Sequence, residues 1–203
     1  SGDEMRDEWR SLCRLMANVN KSVWSTRVNA RMQDAAETLA GNGMIETTSS
    51  MPRLIRDGMA TEKWEGSQNT MRMQVLRDIH RLNHGDIFLE VMGTLAGEID
   101  AAGPQRAALD SALGECRRLL GTLEGLSEPL QTLQMQQILP QLANTFAYWA
   151  LVREGLDQAK ADSHRKLAAA ELFRRMYLAE ETDSWDDTYL ELIAEITEAT
   201  ASG

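Results

Sequence analysis

Glu65 stands in the run Trp64-Glu65-Gly66-Ser67, between an aromatic ring able to exclude water and a glycine that lets a ligand approach the backbone. A carboxylate desolvated in this way has a raised pKa and can act as a general base. The same position also reads as a solvated acid at a helix start, favoured by the helix dipole, with Ser67 as the cap. Arg53 and Arg56 could hold a carboxylate or a phosphate, or form structural ion pairs with Asp57 or Glu62. His80 and His84 have the spacing of two metal ligands on one helical face. No third ligand of suitable type is evident, so a surface pair is the simpler reading and no metal site is expected. Gly41-Asn42-Gly43 reads as a helix C-cap, since glycine tolerates positive φ there.

These residues need helices to position them. Leu12, Met16, Val19, Val23, Val28, Met32, Ala35 and Leu39 recur at steps of mostly three and four, which predicts one long helix from about Glu4 to Ala40. Pro52 suits the first turn of a short helix that is expected to stop at Gly58. Further helices are expected at about Ser67 to Asn83, Asp86 to Ala102 and Gln105 to Glu124. Ser127 and Pro129 open a long helix that Pro140 should kink. Two shorter helices, about Ser163 to Ala179 and Ser184 to Thr200, close the chain. There is no alternating β-branched run and no internal repeat, so the fold class is all-α: a helical bundle followed by a second bundle.

Residues 36–77, AETLAGNGMIETTSSMPRLIRDGMATEKWEGSQNTMRMQVLR, carry three linked motifs. They are a helix ending in a glycine turn, a short P-x-x-R-L-x-R-D-like helix, and an aromatic-E-G-[ST] element opening the next helix. Together they resemble the C-terminal helical domain of the acyl-CoA dehydrogenases, in the branch containing the adaptive-response and larger bacterial members. The resemblance implies that Glu65 matches the family's catalytic glutamate, which takes the α-proton of an acyl-CoA thioester while the β-hydrogen leaves as hydride to flavin. It further implies that Glu37, Gly41, Asn42 and Gly43 meet the adenosine diphosphate part of FAD bound to a neighbouring subunit, and that Ser67 and Asn69 are flavin-contacting positions. Two departures stand out. Glu37 occupies a position where many members carry glutamine, and an anion there repels a pyrophosphate unless it accepts from a ribose hydroxyl. Ala40 replaces the common first glycine.

Residues 1–83 have a net charge of +1 and residues 84–203 of −11, which places a provisional boundary at His84. The acidic second part argues against nucleic acid, and no apolar stretch is long enough to cross a membrane. Cys13 and Cys116 have neither metal-type spacing nor a secreted framework, and they read as reduced thiols of a cytoplasmic protein. The run LPQLANTFAYWALVREGLDQA and the later HRKLAAAELFRRMYLAE look like the helical domain appended in larger family members, with an ordinary amphipathic helix pair as the alternative. The family's flavin-stacking β-domain and N-terminal helical domain have no counterpart in these residues. The expectation is therefore the C-terminal portion or subunit of an FAD-dependent oxidoreductase, inactive alone, working as a homo-oligomer or with a complementary dehydrogenase subunit. The alternative is a non-catalytic helical assembly module.

Overall fold

The computed structural model describes residues 2–100, 103–161, 163–179 and 186–198. Among these it contains eight α-helices, one short 3-10 helix and no strand. The expected all-α class is therefore correct.

The chain forms two compact units, one of residues 1–87 and 122–140 and the other of residues 88–121 and 141–203. Both are discontinuous, where a single cut at residue 84 was expected, because the segment 122–140 folds with the first unit.

In the first unit, helix α1 (Gly2–Glu37) is followed by the 3-10 helix Ala40–Met44, then α2 (Met51–Lys63) and α3 (Gln68–Leu82). The first half of α6 (Glu128–Ala159) completes it. Its core joins Leu12, Leu15, Met16, Val19 and Val23 of α1 to Met71, Val75 and Leu76 of α3, with Met135, Ile138 and Leu139 of α6 also buried. Each such fully buried side chain is worth about 1.5–3 kcal/mol of transfer free energy. The expected stripe on α1 holds as far as Val23 and then rotates. Asn29 and Ala36 are buried, whereas Val28 and Leu39 are nearly half exposed.

Two glycine readings change. Helix α2 does not stop at Gly58 but runs through it to Lys63. A Cβ at Gly58 would stand 2.4 Å from Asn29 Oδ1 and 2.8 Å from Met32 Sδ, so this glycine lets α2 lie close against α1. Helix α1 ends at Glu37, and the positive φ after it falls on Ala40 (48°) rather than on either glycine of the Gly41-Asn42-Gly43 turn. A half-buried ion pair ties α1 to α3: Asp78, whose side chain is 3% exposed, accepts from Arg14 Nε at 3.1 Å and lies 3.6 Å from Arg77 Nε.

The second unit is built from α4 (His84–Gly97), of which residues from Phe88 belong to it, α5 (Pro104–Gly121), the second half of α6, α7 (Arg165–Tyr177) and α8 (Asp187–Glu198). Phe88, Met92, Leu109, Leu113, Leu142, Tyr148 and Val152 form its centre. Pro140 lies inside α6. Gly155 allows α7 to approach, since a Cβ there would meet Leu167 Cδ2 at 2.8 Å. Burial pushes the Cys116 thiol up to about 11, leaving it protonated and inert, 3.3 Å from Thr145 Oγ1. Cys13 is exposed and both cysteines are free. The expected helix ends at Ala102, Ser184 and Thr200 lie outside the described residues.

Candidate functional site

The turn bearing Glu65 is fixed from both sides by α1. Lys21 Nζ donates to the carbonyls of Thr61 at 2.7 Å and Glu62 at 3.2 Å, satisfying the last turn of α2 and matching its dipole with a cation. Asn29 Nδ2 donates to Glu62 Oε2 at 2.6 Å. Burial alone would raise the Glu62 carboxyl, but the Asn29 hydrogen bond and the neighbouring Lys63 and Lys21 charges hold it below its ordinary value. On the other side, Gln68 opens α3 by donating from Nε2 to Ser22 O at 3.0 Å and Thr26 Oγ1 at 2.8 Å, while Ser22 Oγ donates to its Oε1. Ser67 is the N-cap, accepting from the Thr70 amide at 3.3 Å.

Between these clamps, residues 63–66 form a type II turn. Trp64 has φ −61° and ψ 142°, Glu65 has φ 63°, and the Gly66 amide donates to Lys63 O at 3.4 Å. The third position of such a turn favours glycine or asparagine, so a glutamate held there costs about 1–2 kcal/mol of backbone strain. Gly66, at φ 130°, takes a conformation that suits glycine alone.

Glu65 is exposed, and Trp64 is 72% exposed. Within this chain, therefore, the tryptophan does not shield the carboxylate as the sequence suggested, because no described element packs over it. The turn presents both side chains outward.

The other expected positions divide. Glu37, Gly41, Asn42, Ser67 and Asn69 are exposed, and Gly43 is buried. A Cβ at Gly43 would stand 2.1 Å from Ala36 O, so its glycine is required by packing under the end of α1. A Cβ at Gly41 meets nothing within 4 Å, so the chain's own packing does not require a glycine there. Among the described residues Asn69 Nδ2 donates to Met73 Sδ at 3.8 Å, a weak acceptor that leaves its amide available. Ser67 keeps the capping role of the simpler reading.

Arg53 pairs with Asp57 at 3.7 Å, and Arg56 with Glu46 at 2.5 Å, which favours ion pairing over ligand holding. Glu62 is not their partner because it is turned toward Asn29. The two histidines do not share a helical face. Asn83, at φ 55°, ends α3 between them, leaving His80 exposed and hydrogen bonded to Gln131 Oε1 at 3.0 Å while His84 is 2% exposed at the start of α4. Among the described residues no group of three or more potential ligands could hold a metal ion. None of their helices is long and apolar enough to cross a membrane.

Lys21, Asn29 and Gln68 position the turn without having been singled out in the sequence, and Glu62, expected as a partner of Arg53 or Arg56, joins them. Each acts through a partner more than thirty residues away, and spacing along one helix carries no sign of such a contact.

Residues 3–80 match the family model described as acyl-CoA dehydrogenase, C-terminal domain. The chain is 27% identical over 114 residues to acyl-CoA dehydrogenase family member 11 of Caenorhabditis elegans, a match covering 54% of this chain. The matched region spans only 18% of the length of that relative. No solved structure matches the chain.

Proposed function

We propose that this chain, whose residues 3–80 match the acyl-CoA dehydrogenase C-terminal domain family model, supplies the proton-abstracting face of an FAD-dependent acyl-CoA dehydrogenase-like oxidoreductase. The observation that carries this reading is the Trp64-Glu65-Gly66 turn. A carboxylate sits in a strained left-handed conformation, clamped from both sides yet aimed outward, where glycine would be easier to accommodate. Strain of this kind persists where the surroundings over-determine it, and it concentrates at functional positions.

On this reading Glu65 is the general base that takes the α-proton of an acyl-CoA thioester. It reaches a competent, water-poor setting only when further polypeptide covers Trp64 and Glu65, through a homo-oligomer or a complementary dehydrogenase chain. The assignment of residues 1–83 to a dehydrogenase-type part of the sequence and of 84–203 to an appended acidic part, of which 122–140 folds with the first unit, belongs to the same proposal, as does a cytoplasmic location.

The donors and acceptors fit a flavin dinucleotide. Exposed Asn42 and Asn69 have amide hydrogen-bonding capacity, and Gly41 leaves open space for close backbone approach. Glu37 would accept from a ribose hydroxyl rather than face the pyrophosphate, since like charges repel. A bound flavin would supply the hydride acceptor.

The test uses the complete protein or complex containing this chain. Anaerobic addition of acyl-CoA should bleach its flavin absorbance, and Glu65→Gln should slow the bleaching by about 10² to 10⁴-fold with flavin content unchanged. Unaltered bleaching in that variant would remove Glu65 from the chemistry and favour the assembly-module reading.

A further inference from the structure

Beside the clamps of the Glu65 turn the first unit holds a cleft of about 230 Å³. It lies between α1, the start of α3 and the first half of α6, with Glu62 of α2 also lining it. At about 30 Å³ per water molecule, that is room for roughly seven or eight waters or for one small organic molecule.

The walls and the floor differ in kind. Val23 of α1 and Met135 and Leu139 of α6 are buried and give the cleft an apolar floor. Two guanidinium groups line it as well, Arg27 from α1 and Arg72 from α3, both half-buried. The guanidinium carbon of Arg27 lies 4.8 Å from the centroid of the Trp24 ring, a cation–π contact that holds this charge against α1. Arg72 has no hydrogen-bond or ion-pair partner among the described residues, and a partly desolvated cation without an anion is a cost to the fold. Gln136 of α6, exposed at the same cleft, is likewise without a partner among the described residues and carries two amide donors.

One acid shares the cleft, and it is engaged elsewhere. Glu62 Oε2 accepts from Asn29 at 2.6 Å, and Oε1 lies 3.2 Å from Lys63 Nζ. Two cations and one anion among the lining side chains leave a single net positive charge. That balance matches a monoanion, whereas a phosphate dianion would meet the Glu62 charge. A carboxylate is planar and takes two parallel hydrogen bonds from one guanidinium. The apolar floor adds a preference for a hydrocarbon part over a bare inorganic ion.

We propose that this cleft is a binding site for a short-chain monocarboxylic acid. The carboxylate pairs with Arg72, Arg27 adds a second positive charge, Gln136 adds a side-chain donor, and the alkyl part covers Val23, Met135 and Leu139. Gln68, whose amide ties Ser22 and Thr26 to the start of α3, also lines the cleft, so an occupant borders one clamp of the Glu65 turn. The proposal is independent of the flavoenzyme reading.

The experiment is a titration of the full chain with sodium butyrate, followed by the amide NMR shifts of residues 22–27 and 68–72, with sodium chloride holding the ionic strength constant. Saturable one-to-one binding is expected, tightening by about two- to fourfold per methylene from acetate to butyrate. Arg72→Gln should weaken butyrate binding at least about tenfold with the melting temperature unchanged, and Arg72→Lys should recover part of the loss. Gln136→Glu, at an exposed position, sets a like charge against the ligand and should weaken binding at least about threefold. Butyramide, the uncharged analogue, and inorganic phosphate should each bind at least about tenfold more weakly than butyrate. Shifts that never saturate, phosphate or butyramide bound as tightly as butyrate, or an affinity indifferent to both Arg72→Gln and Gln136→Glu would each overturn the proposal.

Discussion

The turn after α1 and the turn after α2 each place a non-glycine residue at positive φ, Ala40 at 48° and Glu65 at 63°. The two differ in what holds them. Ala40 precedes Gly43, whose missing Cβ is demanded by the carbonyl of Ala36, so that turn is explained by packing. Glu65 lies between clamps from Lys21 and Gln68, and its own side chain is exposed. Nothing among the described residues calls for a glutamate there. Equal backbone strain thus has an internal cause in one turn and calls for an external one in the other, which is why the second is the candidate site.

The packing side of this contrast gives the largest effect. Gly43→Ala should destabilise the first unit by about 3 kcal/mol, because the obstructing atom is backbone and cannot turn aside. Gly58→Ala should cost less, about 1 kcal/mol, since Asn29 and Met32 can move their side-chain ends. Chemical denaturation of each variant measures both. Relieving the strain acts in the other direction. Ala40→Gly and Glu65→Gly should each stabilise by up to about 1 kcal/mol, the gain from removing a left-handed non-glycine being partly offset by a looser unfolded chain. The contrast sharpens in the complete enzyme, where the account predicts that only the second of these abolishes turnover. Gly41→Ala should leave stability within about 0.5 kcal/mol of the parent, since its Cβ meets nothing, while weakening flavin retention in the complete enzyme.

A pH effect arises at the junction of α3 and α4. Burial depresses the basicity of His84, and the Arg14 charge adds to this while the Asp78 charge opposes it. Its Nδ1 has no hydrogen-bond partner among the described residues. The folded state therefore binds this proton less readily than the unfolded chain, and stability should fall as pH drops through and below the ordinary imidazole value of 6.5. His84→Leu should flatten that part of the profile of stability against pH.

The sequence made some of this legible and hid the rest for identifiable reasons. Periodicity revealed α1, and it failed after Val23 because Asn29, a polar residue, takes the inward position that Val28 was expected to fill. Pro52, Ser67 and Asn83 mark element ends where capping chemistry is local. Gly58 misled because a glycine that stops a helix and one that admits a neighbouring helix look alike until Asn29 and Met32 are seen beside it. Trp64 and Glu65 were visible as a motif, yet their exposure was not, because shielding depends on what packs above the turn.

Washout of deuterium from an α-deuterated acyl-CoA, followed in the complete flavoprotein with and without Glu65→Gln, tests the central claim most directly. Proton abstraction by Glu65 predicts measurable exchange in the parent and a loss of at least about a hundredfold in the variant at equal ligand occupancy. Equal exchange in the two proteins would contradict it.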